Sequence, residues 1–96
     1  MLIVDDRAKE DLSEAYLWYE KQESGLGDRF LNSFKDACQR IEKRPGMHPI
    51  ACDDVRFVLM KKFPYVIYFR IEAEETVILC VVHGHRDPEV WQSRIE

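Results

Sequence analysis

The 96-residue chain has 14 lysines and arginines against 18 aspartates and glutamates, a net charge of −4, with 46% hydrophobic and 33% charged residues. That balance fits a packed globular core and argues against disorder, and the length leaves room for one core and no second. No apolar run approaches the ~18 residues of a membrane span, and Met1-Leu2-Ile3-Val4 is too short for the core of a signal peptide, so the chain reads as one cytoplasmic domain over residues 1–96.

The charge is unevenly placed. Residues 1–55 carry 8 cationic against 12 acidic side chains, whereas residues 56–96 carry 6 of each. A broad nucleic-acid surface rests on a clearly basic face, and neither half provides one. The 3 cysteines are odd in number, which excludes a fully paired disulfide framework. Cys38 and Cys80 sit among apolar residues, where a thiol packs as a small hydrophobe. Cys52 and His48 are half of a metal site without its second half, so no metal and no cofactor is expected.

In chain order, Leu2-Ile3-Val4 reads as a short strand, and Asp5 or Asp6 as the cap of a helix. In that helix Ala8, Leu12, Ala15, Tyr16 and Tyr19 recur at helical period, with Leu17 on the opposite side and Trp18 on a shoulder. Gly25-Leu26-Gly27 breaks it. A second helix carries a cleaner stripe of Leu26, Phe30, Phe34, Ala37, Cys38 and Ile41. Lys43 and Arg44 suit its C-terminal dipole, and Pro45-Gly46 stops it. A loop runs from about Pro45 to Asp54.

Three apolar, β-branched and aromatic runs follow, between Arg56 and His83. They are separated by Lys61-Lys62-Phe63-Pro64 and by Glu72-Ala73-Glu74-Glu75. Breaks this short join antiparallel neighbours, because a parallel return needs a crossover of about a dozen residues. On the middle run, alternation places Tyr65, Ile67 and Phe69 on one face and Val66 and Tyr68 on the other. Asp87-Pro88-Glu89 then signals the start of a short helical turn bearing Val90 and Trp91. The chain is therefore α+β, in the order β-α-α-β-β-β, with a helical hairpin on a small, mainly antiparallel sheet and a short C-terminal turn.

The chemistry-bearing residues collect after the strands. His83 and His85, one residue apart, have only Asp87 as a neighbouring ligand type, which leaves a metal site incomplete. No Gly-x-Ser-x-Gly motif and no phosphate-cradling glycine loop is present. RNA cleavage by a 2′-hydroxyl needs a base, a cation for the phosphorane and an acid for the leaving oxygen. His83 or His85, Lys61 or Lys62, and Arg56 or Arg86 are the groups able to supply them. Competing with that reading, Lys61-Lys62 is a solvated turn, Arg86 pairs with Asp87 or Glu89, and Trp91 is a lid on the core.

Ala8-x-x-Asp11-Leu12-x-Glu14-Ala15-x-x-Trp18-Tyr19-Glu20 and Gly25-Leu26-Gly27-x-x-Phe30 are followed by Arg56-x-x-x-Met60-x-x-Phe63-Pro64-Tyr65-x-Ile67-Tyr68. His83-x-x-Arg86-Asp87-Pro88-x-x-Trp91-x-x-Arg94 closes the pattern. Over nearly its whole length the chain resembles the RelE/ParE superfamily of bacterial toxins, especially the ParE-like, plasmid-stabilisation branch. The resemblance implies a helical hairpin on a twisted sheet and a cognate antitoxin, in a dimer-based assembly, that covers the toxin's apolar and cationic surface. It also implies one of two activities. RelE-type members cut mRNA on the ribosome with basic residues of the central strands and a Tyr or His near the chain end. ParE-type members lack that set and poison DNA gyrase.

This chain is acidic, has no tyrosine after its last strand, and has Phe57 after Arg56 where ParE-like members often carry a second arginine. The reading favoured here is a ParE-like gyrase inhibitor without catalytic chemistry, contacting its target through Arg56, Lys61, Lys62, Arg86 and Trp91. The alternatives are a ribosome-dependent mRNA endonuclease using His83, His85, Arg86, Lys61 and Lys62, and a decayed toxin that only binds antitoxin.

Overall fold

Asp5 starts the first helix: its side chain accepts the Arg7 backbone N–H at 2.9 Å, satisfying a donor that the first turn leaves without a partner. The computed structural model describes residues 1–84 and 88–95; His85, Arg86 and Asp87 lie outside the described residues. Strand β1 (Leu2–Val4) precedes helices α1 (Asp6–Gln22) and α2 (Leu26–Lys43). After a 3₁₀ turn at Pro45–Met47 come strands β2 (Ile50–Cys52), β3 (Val55–Leu59), β4 (Tyr65–Glu72) and β5 (Glu75–His83), then helix α3 (Pro88–Ile95).

The turn between α1 and α2 depends on its glycines. Gly25 adopts a φ of 89°, and the Glu20 carboxylate accepts both the Gly25 and the Gly27 N–H at 3.0 Å. A Cβ on Gly27 would lie 2.8 Å from the Tyr16 ring and 2.9 Å from the Tyr16 carbonyl oxygen, so only glycine lets the helices approach this closely. The hairpin then lays Phe30, Phe34, Ala37, Cys38 and Ile41, the expected stripe of α2, against the sheet as buried residues, with Leu26 half-buried at its start.

The sheet has five strands in the order β1-β5-β4-β3-β2. Pairing is antiparallel throughout except that β1 runs parallel to β5, Leu2 to Val4 opposite Thr76 to Ile78. Side-chain alternation on β4 is as expected: Ile67, Phe69 and Tyr65 join the core beneath the helices, while Tyr68 faces the other side. In β5 a register irregularity opposite Tyr68 and Phe69 inserts Leu79 as an extra residue. Ile78 and Val81 therefore both face the helices although three positions apart, and Cys80 and Val82 face away.

Two elements differ from the sequence reading. The segment read as loop contains β2, an edge strand paired with β3 through an irregular register. Three residues are too few to display alternation, which is why Ile50-Ala51-Cys52 carried no strand signal. The C-terminal turn is an eight-residue helix beginning at Pro88, the position the proline marked. Asp87, the first residue of that start signal, lies outside the described residues. Among the described residues, no helix is long and apolar enough to cross a membrane.

Candidate functional site

One face of α1 presents Glu10, Asp11, Glu14, Ala15, Trp18 and Tyr19, and it borders a cleft of about 580 Å³. The three- and four-residue intervals among them are those of neighbours on a helix surface. The opposite wall is the end of β5, from Val81 to His83, with Tyr65 of β4 beneath it and Arg94 of α3 at one side. The cleft exists because β1 is short. Its pairing with β5 ends at Val4 and Ile78, with one further hydrogen bond from Asp5 N–H to the Ile78 carbonyl at 3.0 Å. Beyond it, α1 rather than a strand flanks β5.

Asp11 closes part of that edge. Its Oδ2 accepts the Val81 backbone N–H at 3.0 Å, in the place of a strand carbonyl. The same carboxylate holds the Arg94 guanidinium in a two-pronged contact, Nη2 to Oδ1 at 2.6 Å and Nη1 to Oδ2 at 3.0 Å. Hydrogen bonding to Asp11 raises the Arg94 pKa above its ordinary value, against the desolvation that would lower it. Arg7 completes the clasp by donating from Nη2 to the Arg94 carbonyl at 2.7 Å, where the cation meets the C-terminal end of α3.

The floor of the cleft is aromatic. Tyr19 stacks on Phe30 at 5.4 Å and meets Tyr65 edge-on at 6.2 Å, and Tyr65 meets the His83 ring edge-on at 5.4 Å. Trp18 packs its ring edge-on against Tyr19 at 5.0 Å and is nevertheless 57% exposed, with Leu17 beside it in sequence 54% exposed. Burial, the largest cause, raises the pKa of Tyr19 above its ordinary value, with Tyr65 adding to it.

The residues singled out in the sequence are dispersed. His83 lines the cleft. Lys61 and Lys62 are exposed in the turn before β4, at the same end of the sheet, where the Lys61 carbonyl accepts the Ser33 hydroxyl and Gly84 N–H reaches the Pro64 carbonyl at 2.7 Å. Arg56 lies at the other end of β3, opposite Phe69 and so on the helix side, and donates to the His48 carbonyl at 2.6 Å. Trp91 is only 8% exposed and stacks on Tyr68, ring centroids 4.3 Å apart and planes at 13°. It covers Cys80 and Val82 on the face opposite Arg56. The structure thus unites Lys61, Lys62 and His83 at one end of the sheet and separates them from Arg56. His85 and Arg86 lie outside the described residues.

Sequence reasoning had not singled out Glu10, nor the clasp of Asp11 with Arg94. Eighty-three residues separate the two partners, and each alone resembles a solvated helix charge. The available hint was Asp11 beside Leu12, at the edge of the apolar stripe.

Comparisons with known proteins agree with this architecture. Residues 2–88 match the family model described as the ParE toxin of the type II toxin–antitoxin system parDE. The chain is 30% identical over 95 residues to Toxin ParE2 of Mycobacterium tuberculosis, covering 98% of this chain and 90% of that one. Among solved structures, the chromosomal ParDE system from P. aeruginosa superposes with a TM-score of 0.65 at 19% identity, over 85% of this chain and 92% of the other. Isolated E. coli RelE gives 0.65 at 14% identity, over 100% and 98%. An E. coli RelE mutant bound to a RelBc antitoxin peptide gives 0.64 at 14% identity, over 100% and 94%. The fold is that of the RelE/ParE toxin superfamily. This chain belongs to the ParE toxin family of type II toxin–antitoxin systems.

Proposed function

We propose that this toxin acts in the cytoplasm as a plasmid-stabilisation factor, residues 1–96 forming one toxin domain that inhibits DNA gyrase by binding it and is neutralised by a cognate antitoxin. The observation that carries this reading is the charge around His83. The cleft that His83 lines is walled by Glu10, Asp11 and Glu14, and its arginine, Arg94, is held by Asp11. A scissile phosphate carries negative charge, and cleavage adds more in the phosphorane; with Asp11 offset by Arg94, the carboxylates of Glu10 and Glu14 remain to oppose the approach of RNA and the transition state. Inhibition by attachment makes no such demand on a proton carrier. Membership of the ParE toxin family points the same way.

Gyrase supercoiling with the purified chain tests the proposal. Supercoiling should fall and cleaved DNA accumulate on gyrase, and the antitoxin should reverse both. Full gyrase activity together with transcript cleavage in a ribosome-containing translation reaction would establish the endonuclease alternative instead. Activity in neither assay, with antitoxin binding retained, would establish the decayed-toxin reading.

A further inference from the structure

The geometry points to the cleft between α1 and the end of β5 as the docking site for an extended segment of the antitoxin that carries lysine or arginine beside an apolar side chain. This inference rests on the proposed partnership with an antitoxin and adds the chemistry of the segment and the place it occupies.

Three observations converge. First, the cleft has an acidic wall. Glu10 and Glu14 lie one helical turn apart on α1, both exposed, and Asp11 between them is occupied by Arg94 and the Val81 N–H. The carboxylates of Glu10 and Glu14 exceed the cations available in the cleft, so a partner bringing positive charge is attracted and steered, and a polyanion is repelled. Second, the cleft has an apolar end. The exposed face of Trp18 stands beside Tyr19 and Tyr65, an aromatic anchor of the kind that concentrates binding energy at protein interfaces. Third, the wall opposite the carboxylates is a strand edge that β1 leaves after Ile78, and strand edges take extended segments. A helix of about 10 Å diameter presents charge and apolar groups on turns of its own. Glu10, Glu14 and Trp18 follow one another at four-residue intervals along α1, about 6 Å apart, and an extended chain lying along them repeats its same-side residues at about 7 Å, setting a cation beside Glu14 and an apolar group beside Trp18.

The chemistry is testable because Glu10, Glu14 and Trp18 are exposed and none of them hydrogen-bonds in the clasp that fixes α3, where Glu10 acts on Arg94 through its charge alone and as the smallest of the causes at that group. The probes are overlapping synthetic peptides tiling the protein encoded by the adjoining gene, together with that full-length protein, titrated against the wild-type chain and variants by fluorescence anisotropy. A peptide containing Lys or Arg should bind the wild type, and its affinity should fall steeply with added salt. The double variant Glu10→Lys/Glu14→Lys and the single variant Trp18→Ala should each bind it at least about ten-fold more weakly, with unchanged thermal unfolding. Replacing the peptide's cation by Glu should restore part of the affinity for the double charge-reversal variant and none for Trp18→Ala. Equal binding by wild type and both variants would overturn the cleft as the site while leaving the antitoxin partnership intact. A wild-type chain that binds neither the peptides nor the full-length protein would overturn the partnership and the inference together.

Discussion

The two faces of the sheet are held in different ways. Toward α1 and α2, a continuous layer of Phe30, Ile41, Ile67, Phe69 and Ile78 is sealed from solvent and knitted by aromatic contacts from Tyr19 to Phe63. On the opposite face the buried cluster is Cys80, Val82 and Trp91, with Tyr68, Ala51 and Cys52 at its edges. The first face is secured by packing from two long helices. The second is covered by α3, whose described contacts include the stack of Trp91 on Tyr68 and the clasp of charges at Arg94. Stability therefore resides chiefly on the helix side, and the C-terminal end of the chain is the part that can be loosened with the fold intact.

Substitutions on the two faces should separate these roles. Phe30→Ala removes a fully buried ring and should cost about 3–5 kcal/mol, shifting the whole unfolding transition in chemical denaturation. Trp91→Ala should cost about 3 kcal/mol at most, since the ring lies under a single helix. Its distinguishing sign is loss of amide protection in α3 with the hairpin still protected in hydrogen exchange. Asp11→Ala strips Arg94 of its counter-ion and Val81 N–H of its acceptor, and should cost about 1.5–3 kcal/mol. A Trp91 variant that unfolds the hairpin as completely as the Phe30 variant would erase the distinction between the faces.

A smaller effect marks the same division in pH. Burial is the largest cause raising the Cys38 thiol to about 11, on the helix side, and the Cys80 thiol to about 12, beneath Trp91. The folded values lie above that of an unfolded cysteine, so both thiols contribute stability that is fully present below pH ~9. As pH rises the unfolded chain ionises first, and that contribution is lost between about 9 and 11 for Cys38, and between about 9 and 12 for Cys80. Replacing Cys80 by Ala should flatten the fall of stability across that window, measured by urea midpoints at successive pH values. An unchanged slope would mean that Trp91 leaves the thiol accessible to water.

The sequence exposed the helix-side face far better than the other. Phe30, Phe34, Ala37, Cys38 and Ile41 repeat at helical period within the eighteen residues of α2, and Tyr65, Ile67 and Phe69 alternate along β4, so each element carries its own signal. Asp5, Gly25 and Pro45 punctuate the helices through local backbone chemistry, which is equally readable. β2 was missed because three residues show no period, and the irregularity at Leu79 because an inserted residue reverses the alternation beyond it. Of the site, His83, Lys61 and Lys62 were visible as residue types and do gather at one end of the sheet. Glu10 and Glu14 resembled the solvated side of an amphipathic helix, which they are until β1 ends short and leaves a cleft beside them. The Asp11–Arg94 clasp joins residues 83 positions apart, a pairing that no local pattern specifies.

The most direct measurement is induced expression of the wild-type chain and His83→Gln in a bacterial host, following chromosomal DNA breaks and transcript integrity together. Toxicity through gyrase predicts DNA breaks with intact transcripts, equal for both proteins, and relief of both by the antitoxin. Transcript cleavage by the wild type that disappears in a stably folded His83→Gln variant, with no DNA breaks, would contradict it.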